Sequence, residues 1–222
     1  MTSTLLRQPS FKSDRVILRD ISWHTYQALI ADLEQSPAVR LTYERGTLEI
    51  RMPLDRHESY KKLIGRLIEA ATEELGLEVR SLGSRTYNRE DLASGLEPDQ
   101  CYYIQNEPVV RGVEQIDLNR LPPPDLAVEI DITSSSLDRF EIYKRLGVPE
   151  IWRFDGDRLS INLLEDGEYL VSDRSVALSP LQTEDFSSFL LQAQTVGENS
   201  LLRQFRRVIG EKVRSSLPTS KH

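Results

Sequence analysis

Residues 122–140 read PPPDLAVEIDITSSSLDRF, and the strand-like run inside them is apolar on one side and acidic on the other. Side chains alternate along a strand. Leu126, Val128, Ile130 and Ile132 therefore point one way, and Asp125, Ala127, Glu129, Asp131 and Thr133 the other. The first set is a core face. The second lines up carboxylates with roughly 7 Å between alternate positions. Like charges so placed repel and raise each other's pKa unless a cation lies between them. Oxygen donors in such a row suit a hard divalent ion, Mg²⁺ or Mn²⁺. An edge strand with a solvated acidic face has the same pattern, so this segment alone leaves both readings open.

A second segment repeats the design. In LEPDQCYYI, Glu97, Asp99, Cys101 and Tyr103 share one face, and Asp99 follows a proline just as Asp125 does, 26 residues later. Two Pro-Asp-initiated strands can pair and bring their acids together, which favours a cation site over a solvated face.

The rest of the chain supplies the other elements. Residues 22–36 are expected to form a helix with Ser22 as N-cap. Arg45-Gly46, between two alternating stretches, signals a hairpin. Residues 56–75 have the strongest helical pattern, with Leu63, Ile64, Leu67, Ile68, Ala71 and Leu75 as an apolar stripe and Gly76 as the stop. A short helix is expected over 137–146, with Ser135 and Asp138 at capping-box spacing and Gly147 and Pro149 closing it. Residues 150–173 read as a strand meander with turns at Asp155-Gly156 and Asp166-Gly167, and an amphipathic helix follows near the C-terminus. The expected fold is α/β (α+β): one mixed central sheet flanked by helices.

At 222 residues the chain holds one substantial core, so a single domain over 1–222 is expected, with a C-terminal helical extension at about 190–216. No apolar run is long enough to span a bilayer, and no secretory h-region opens the chain. The single cysteine, Cys101, suits a reducing, cytoplasmic compartment, and with only three histidines a Cys/His zinc site is not expected. The net charge of −7 argues mildly against electrostatic coating of nucleic acid, yet a local basic rim can coexist with it.

Taken together, PPPDLAVEIDITSSSLDRFEIYKRLGVPEIWRFDG, HESYKKLIGRLIEAATEEL and GLEPDQCYYIQNE resemble the Uma family of proposed restriction endonucleases (cyanobacterial type, DUF820), within the PD-(D/E)XK nuclease superfamily. The resemblance covers roughly residues 20–175. It implies a restriction-endonuclease-like core: a mixed sheet of about four strands between helices, with a Mg²⁺ or Mn²⁺ site at one sheet edge. By that resemblance Asp99 and Glu129 bind the metal, Asp125 is an additional ligand candidate, and Glu58 matches the helical acidic position. The substrate implied is DNA, and the reaction is phosphodiester hydrolysis by a metal-activated water.

One departure stands out. The superfamily pattern expects Glu-X-Lys, but Glu129-Ile130 is followed by Asp131. In this family the basic residue comes from the following helix, where Arg139 and, further on, Lys144 are the candidates. Arg139 can stabilise phosphoryl charge but is permanently protonated and cannot act as a base. Asp131 and His57 are secondary candidates, His57 reading as readily as a capping residue, and Glu49 is an acid on an alternating strand that could face the site. Tyr102, Tyr103 and Tyr143 read as packing residues. The alternatives are a nuclease fold that has lost catalysis and binds nucleic acid or protein, and a hydrolase of another phosphodiester such as RNA. Cutting both strands of a duplex would favour a homodimer.

Overall fold

The computed structural model describes residues 15–33, 39–52, 55–132 and 138–216. Two sheets form, where one was expected. The first has five antiparallel strands in the order β1-β3-β2-β6-β5: β1 Arg15–Leu18, β2 Arg40–Glu44, β3 Thr47–Arg51, β5 Tyr87–Arg89 and β6 Ser94–Leu96. The second has six strands in the order β11-β10-β9-β8-β7-β4: β4 Arg80–Ser81, β7 Gln100–Tyr103, β8 Leu126–Ile130, β9 Glu150–Phe154, β10 Leu159–Glu165 and β11 Glu168–Ser172. The short strands β5 and β6 flank a single 3₁₀ turn, and pairing of β6 with β2 draws them into the first sheet, away from the second.

The described residues also form six helices: α1 Trp23–Leu33, α2 Asp55–Leu75, α3 Glu107–Val110, α4 Arg139–Leu146, α5 Thr183–Gln192 and α6 Glu198–Ser216. The apolar stripe of α2 buries Leu63, Ile64, Leu67, Ile68 and Ala71 against Leu126, Val128, Ile130, Trp152 and Phe154 of the six-stranded sheet. Helices α5 and α6 extend that layer through Phe186, Phe189, Leu201, Phe205 and Ile209, so the C-terminal helix packs into the same core. On the opposite face, Ile142, Tyr143 and Leu146 of α4 close over Cys101, Tyr103, Ala127 and Ile151. Tyr26 of α1 stacks on Tyr43 over the five-stranded sheet, with ring centroids 4.8 Å apart.

Strand β8 is central, between β7 and β9, and all five of its residues are buried. That excludes the edge-strand reading of its acids. It pairs antiparallel with β7 and parallel with β9, and the β8–β9 connection runs through α4. The α4 N-cap is Asp138 itself, whose side chain accepts from the Phe140 and Glu141 N–H groups, while Ser135 lies outside the described residues. Gly147 ends α4 in the left-handed region at φ +76°, which a residue with a Cβ adopts only under strain. Helix α5 escaped the periodicity reading. Its start is set by Gln182 and Asp185, which exchange the two bonds of a capping box.

Candidate active site

The register of β7 on β8 builds the site. Gln100 pairs with Val128 and Cys101 with Ala127, so Asp99, the residue just ahead of β7, lies at the Glu129 end of β8. The Asp99 N–H donates to the Val128 carbonyl at 3.1 Å and its side chain accepts from the Ile130 N–H, so Asp99 is tied to the residues on either side of Glu129. The same antiparallel register sends Asp125 to the other end of β8. The two Pro-Asp starts therefore diverge, and the acids brought into one cluster are the residue ahead of β7 and the penultimate residue of β8.

Asp99 is fully buried and well partnered. Its Oδ2 accepts from the Ile130 N–H at 2.7 Å and from His57 Nε2 at 3.0 Å, and its Oδ1 lies 3.4 Å from Arg51 Nη2. Burial opposes the charged form, but the His57 hydrogen bond and the charges of Arg51, His57 and Arg139 outweigh it and hold the carboxyl well below the usual range. Glu129, 4% exposed, meets Arg139 Nη2 at 2.9 Å through its Oε1, which also accepts from the Tyr143 hydroxyl. Burial pushes the Glu129 carboxyl up to about 7; Arg139 opposes that shift and the charge of Asp99 adds to it.

Helix α4 supplies both partners of Glu129 because Arg139 and Tyr143 are four residues apart and share one helix face. Arg139 Nη2 also donates to the Glu97 carbonyl at 2.6 Å, which ties α4 to the segment entering β7. Burial alone would lower the Arg139 pKa, but Glu129, Tyr143, Asp99 and Glu49 raise it, so the guanidinium stays charged. Strand β3 of the five-stranded sheet contributes from the other side. Its buried Glu49 acts on Arg139, and Arg51, two residues on and on the same strand face, reaches Asp99.

Several expected residues sit outside this cluster or behind it. Glu58 lies 3.5 Å from His57 Nδ1 and 3.5 Å from Lys61 Nζ, so it backs His57 without touching the two central acids. Lys61 in turn donates to Ser84 Oγ at 2.8 Å, and Ser84 to the Asp99 carbonyl at 3.1 Å. Asp131 pairs with Arg153 at 2.6 Å. Lys144 pairs with Glu141 at 2.5 Å and Glu168 at 3.2 Å at the far end of α4, so it is not the basic residue beside Glu129. Asp125 accepts from the Ile104 N–H at 2.7 Å and from the Asn106 N–H and Nδ2 at 2.9 and 2.6 Å. It fastens the turn before α3, about 13 Å along the strand from Glu129. Arg51 was not singled out from the sequence, and Tyr143 was assigned to packing. The signals were there: Arg51 follows Glu49 at strand spacing, and Tyr143 follows Arg139 at helix spacing.

Among the described residues no group of three or more His, Cys, Asp or Glu side chains is arranged to hold a metal ion. The buried carboxylates available to an ion at this cluster are Asp99 and Glu129. Two carboxylates fit Mg²⁺, which keeps much of its shell as water and substrate phosphate. No helix of the described residues is long and apolar enough to cross a membrane.

Buried acids where β7 and β8 adjoin, ringed by guanidinium and imidazole, form a charged cluster inside this mixed α/β fold. The family model "Uma2: Putative restriction endonuclease" matches residues 23–193, and the chain belongs to that family. A comparison with curated proteins finds no match. Among solved structures the chain is similar to a putative nuclease belonging to DUF820 from Anabaena variabilis ATCC 29413, at 17% identity and a TM-score of 0.42, over 74% of this chain and 90% of that one.

Proposed function

We propose that the protein is a divalent-metal-dependent DNA endonuclease, with Asp99 and Glu129 as the residues that hold the ion. The observation that carries this reading is two buried carboxylates in one charge cluster, Asp99 bonded to the Ile130 N–H next to Glu129, beside two arginines and a histidine. Family membership supports the nuclease class.

Each side chain then has a task. The Ile130 N–H and His57 fix the orientation of Asp99, and the negative charge they maintain is what a hard cation requires. Arg139 and Tyr143 fix Glu129 from one face of α4. The chemistry a bound ion supplies is polarisation of the scissile phosphate and a lowered pKa for its water. Arg139 keeps its positive charge throughout and contributes to stabilising phosphoryl charge rather than to proton transfer.

The test is cleavage of supercoiled plasmid and of short single- and double-stranded DNA with Mg²⁺ or Mn²⁺, beside Asp99→Ala, Glu129→Ala and a chelator control. Metal-dependent cutting lost in both variants supports the reading. One observation favours a second reading, a nuclease fold without catalysis that binds nucleic acid: both carboxylates already carry cationic partners. Calorimetry separates the two, because a binding module needs no divalent ion at Asp99 and Glu129.

A further inference from the structure

Two arginines enter this site, and they are held very differently. Arg139 Nη2 has two acceptors at ordinary distances, Glu129 Oε1 at 2.9 Å and the Glu97 carbonyl at 2.6 Å. Arg51 Nη2 has one, Asp99 Oδ1 at 3.4 Å, longer than a charge-assisted bond prefers. Both guanidiniums are more than nine-tenths buried, at 6% exposure for Arg51 and 8% for Arg139. The Nε of each is buried without a hydrogen-bond acceptor among the described residues.

A buried donor left unpaired costs about 1–3 kcal/mol, so such groups point to an acceptor that completes the site. Arg51 has the larger deficit, since its one contact is long and its Nε has none. Its fork is matched by the oxygens of a phosphate, which accept two parallel N–H bonds. It also comes from a different wall. Arg51 reaches in from β3 of the five-stranded sheet, whereas both acids and Arg139 belong to the six-stranded sheet and its crossover helix.

We propose that Arg51 is the phosphate-binding cation of the site, taking non-bridging oxygens of a backbone phosphate, while Arg139 serves to hold Glu129. The assignment rests on the nuclease reading for its substrate but not for its test. Arg51 would then be a catalytic residue, and Arg139 a positioning residue.

The experiment is anisotropy of a fluorescently labelled short DNA duplex in EDTA, across a salt series, with Mg²⁺ calorimetry alongside. Arg51→Met is expected to weaken duplex binding about tenfold or more and to lower the salt slope by about one unit, the signature of one lost phosphate contact. Its Mg²⁺ affinity is expected to hold or to tighten, because a cation competing for Asp99 has gone. Arg51→Lys keeps the charge without the fork, is expected to bind the duplex at an intermediate level, and serves if the Met variant does not fold. The opposite split overturns the proposal: duplex binding and salt slope unchanged with Mg²⁺ affinity lost would make Arg51 only a support for Asp99. Wild-type protein that binds duplex through Arg51 but cuts nothing with either metal would sink the nuclease reading and leave this assignment standing. Metal-dependent cutting together with Arg51-independent binding in EDTA would do the reverse.

Discussion

Asp99 accepts from the N–H of Ile130, the residue next to Glu129, and its charge acts on Glu129, yet one carboxyl is driven down and the other up to about 7. The difference lies in their partners. Asp99 receives a backbone N–H as well as His57 and Arg51, whereas Glu129 is met by the side chains of Arg139 and Tyr143 and bears the charge of Asp99. Two buried acids that feel each other's charge divide the burden unequally, and the better-bonded one keeps the charge.

That asymmetry sets a pH dependence for the metal-free protein. The folded Glu129 carboxyl titrates at about 7, above its ordinary value of 4.5. The stability associated with its neutral form is fully present below the unfolded value and is lost as pH rises through the folded one. Urea unfolding in chelator should therefore show wild type losing ground to Glu129→Gln between about pH 4.5 and about pH 7, by on the order of 3 kcal/mol, with little further change above that. A difference that stays flat with pH would mean that Glu129 is ionised in the fold throughout.

Metal should act on stability through the same two acids. At an Mg²⁺ concentration about 100 times its Kd, linkage gives about 2.7 kcal/mol and a clear rise in Tm. Asp99→Asn and Glu129→Gln should each remove most of that rise. Thermal unfolding with and without chelator measures it, and an equal rise in the variants would place the ion elsewhere.

Asp125 should behave as a structural residue. Asp125→Ala strips acceptors from the Ile104 and Asn106 N–H groups and from the Asn106 side chain. The expected loss is about 2–3 kcal/mol of stability with the Mg²⁺ response intact. If Asp125→Ala abolishes the metal response in a protein that is still folded, Asp125 is a ligand after all.

Glu150 is the buried polar hub of the opposite layer. It accepts from Trp152 Nε1 and Ser175 Oγ, both at 2.6 Å, and from the Val176 and Ala177 N–H groups at 2.8 and 2.9 Å. Glu150→Ala leaves those donors without an acceptor and should cost about 3 kcal/mol or more, while Glu150→Gln, which still accepts through its amide oxygen, should cost less. Denaturation followed by the fluorescence of the buried Trp152 reads both, and equal stability of the Ala variant would show that water replaces the carboxylate.

Much of this molecule was legible in local pattern. The apolar stripe of residues 56–75, the Arg45-Gly46 hairpin and the meander turns at 155–156 and 166–167 rest on near-neighbour chemistry, and the corresponding elements formed. The alternation in 125–131 showed that one face of β8 would carry acids, and Pro-Asp recurring at 98–99 drew attention to Asp99.

What no local pattern holds is register and layer. Asp99 meets Glu129 and leaves Asp125 behind because β7 and β8 run antiparallel, and strand direction is a property of the pair, not of either segment. Arg51 enters the site because the 40–51 hairpin belongs to a second sheet whose strand face turns toward the first, a juxtaposition between residues 48 positions apart. Tyr143 joined the site for a related reason: the crossover helix that buries it against the sheet aims its hydroxyl at Glu129. The sequence by itself determined which residues are apolar, which turn and which carry charge. Only the tertiary structure decided which charges meet, because burial, pairing direction and the approach of the two sheets act over distances along the chain that periodicity does not reach.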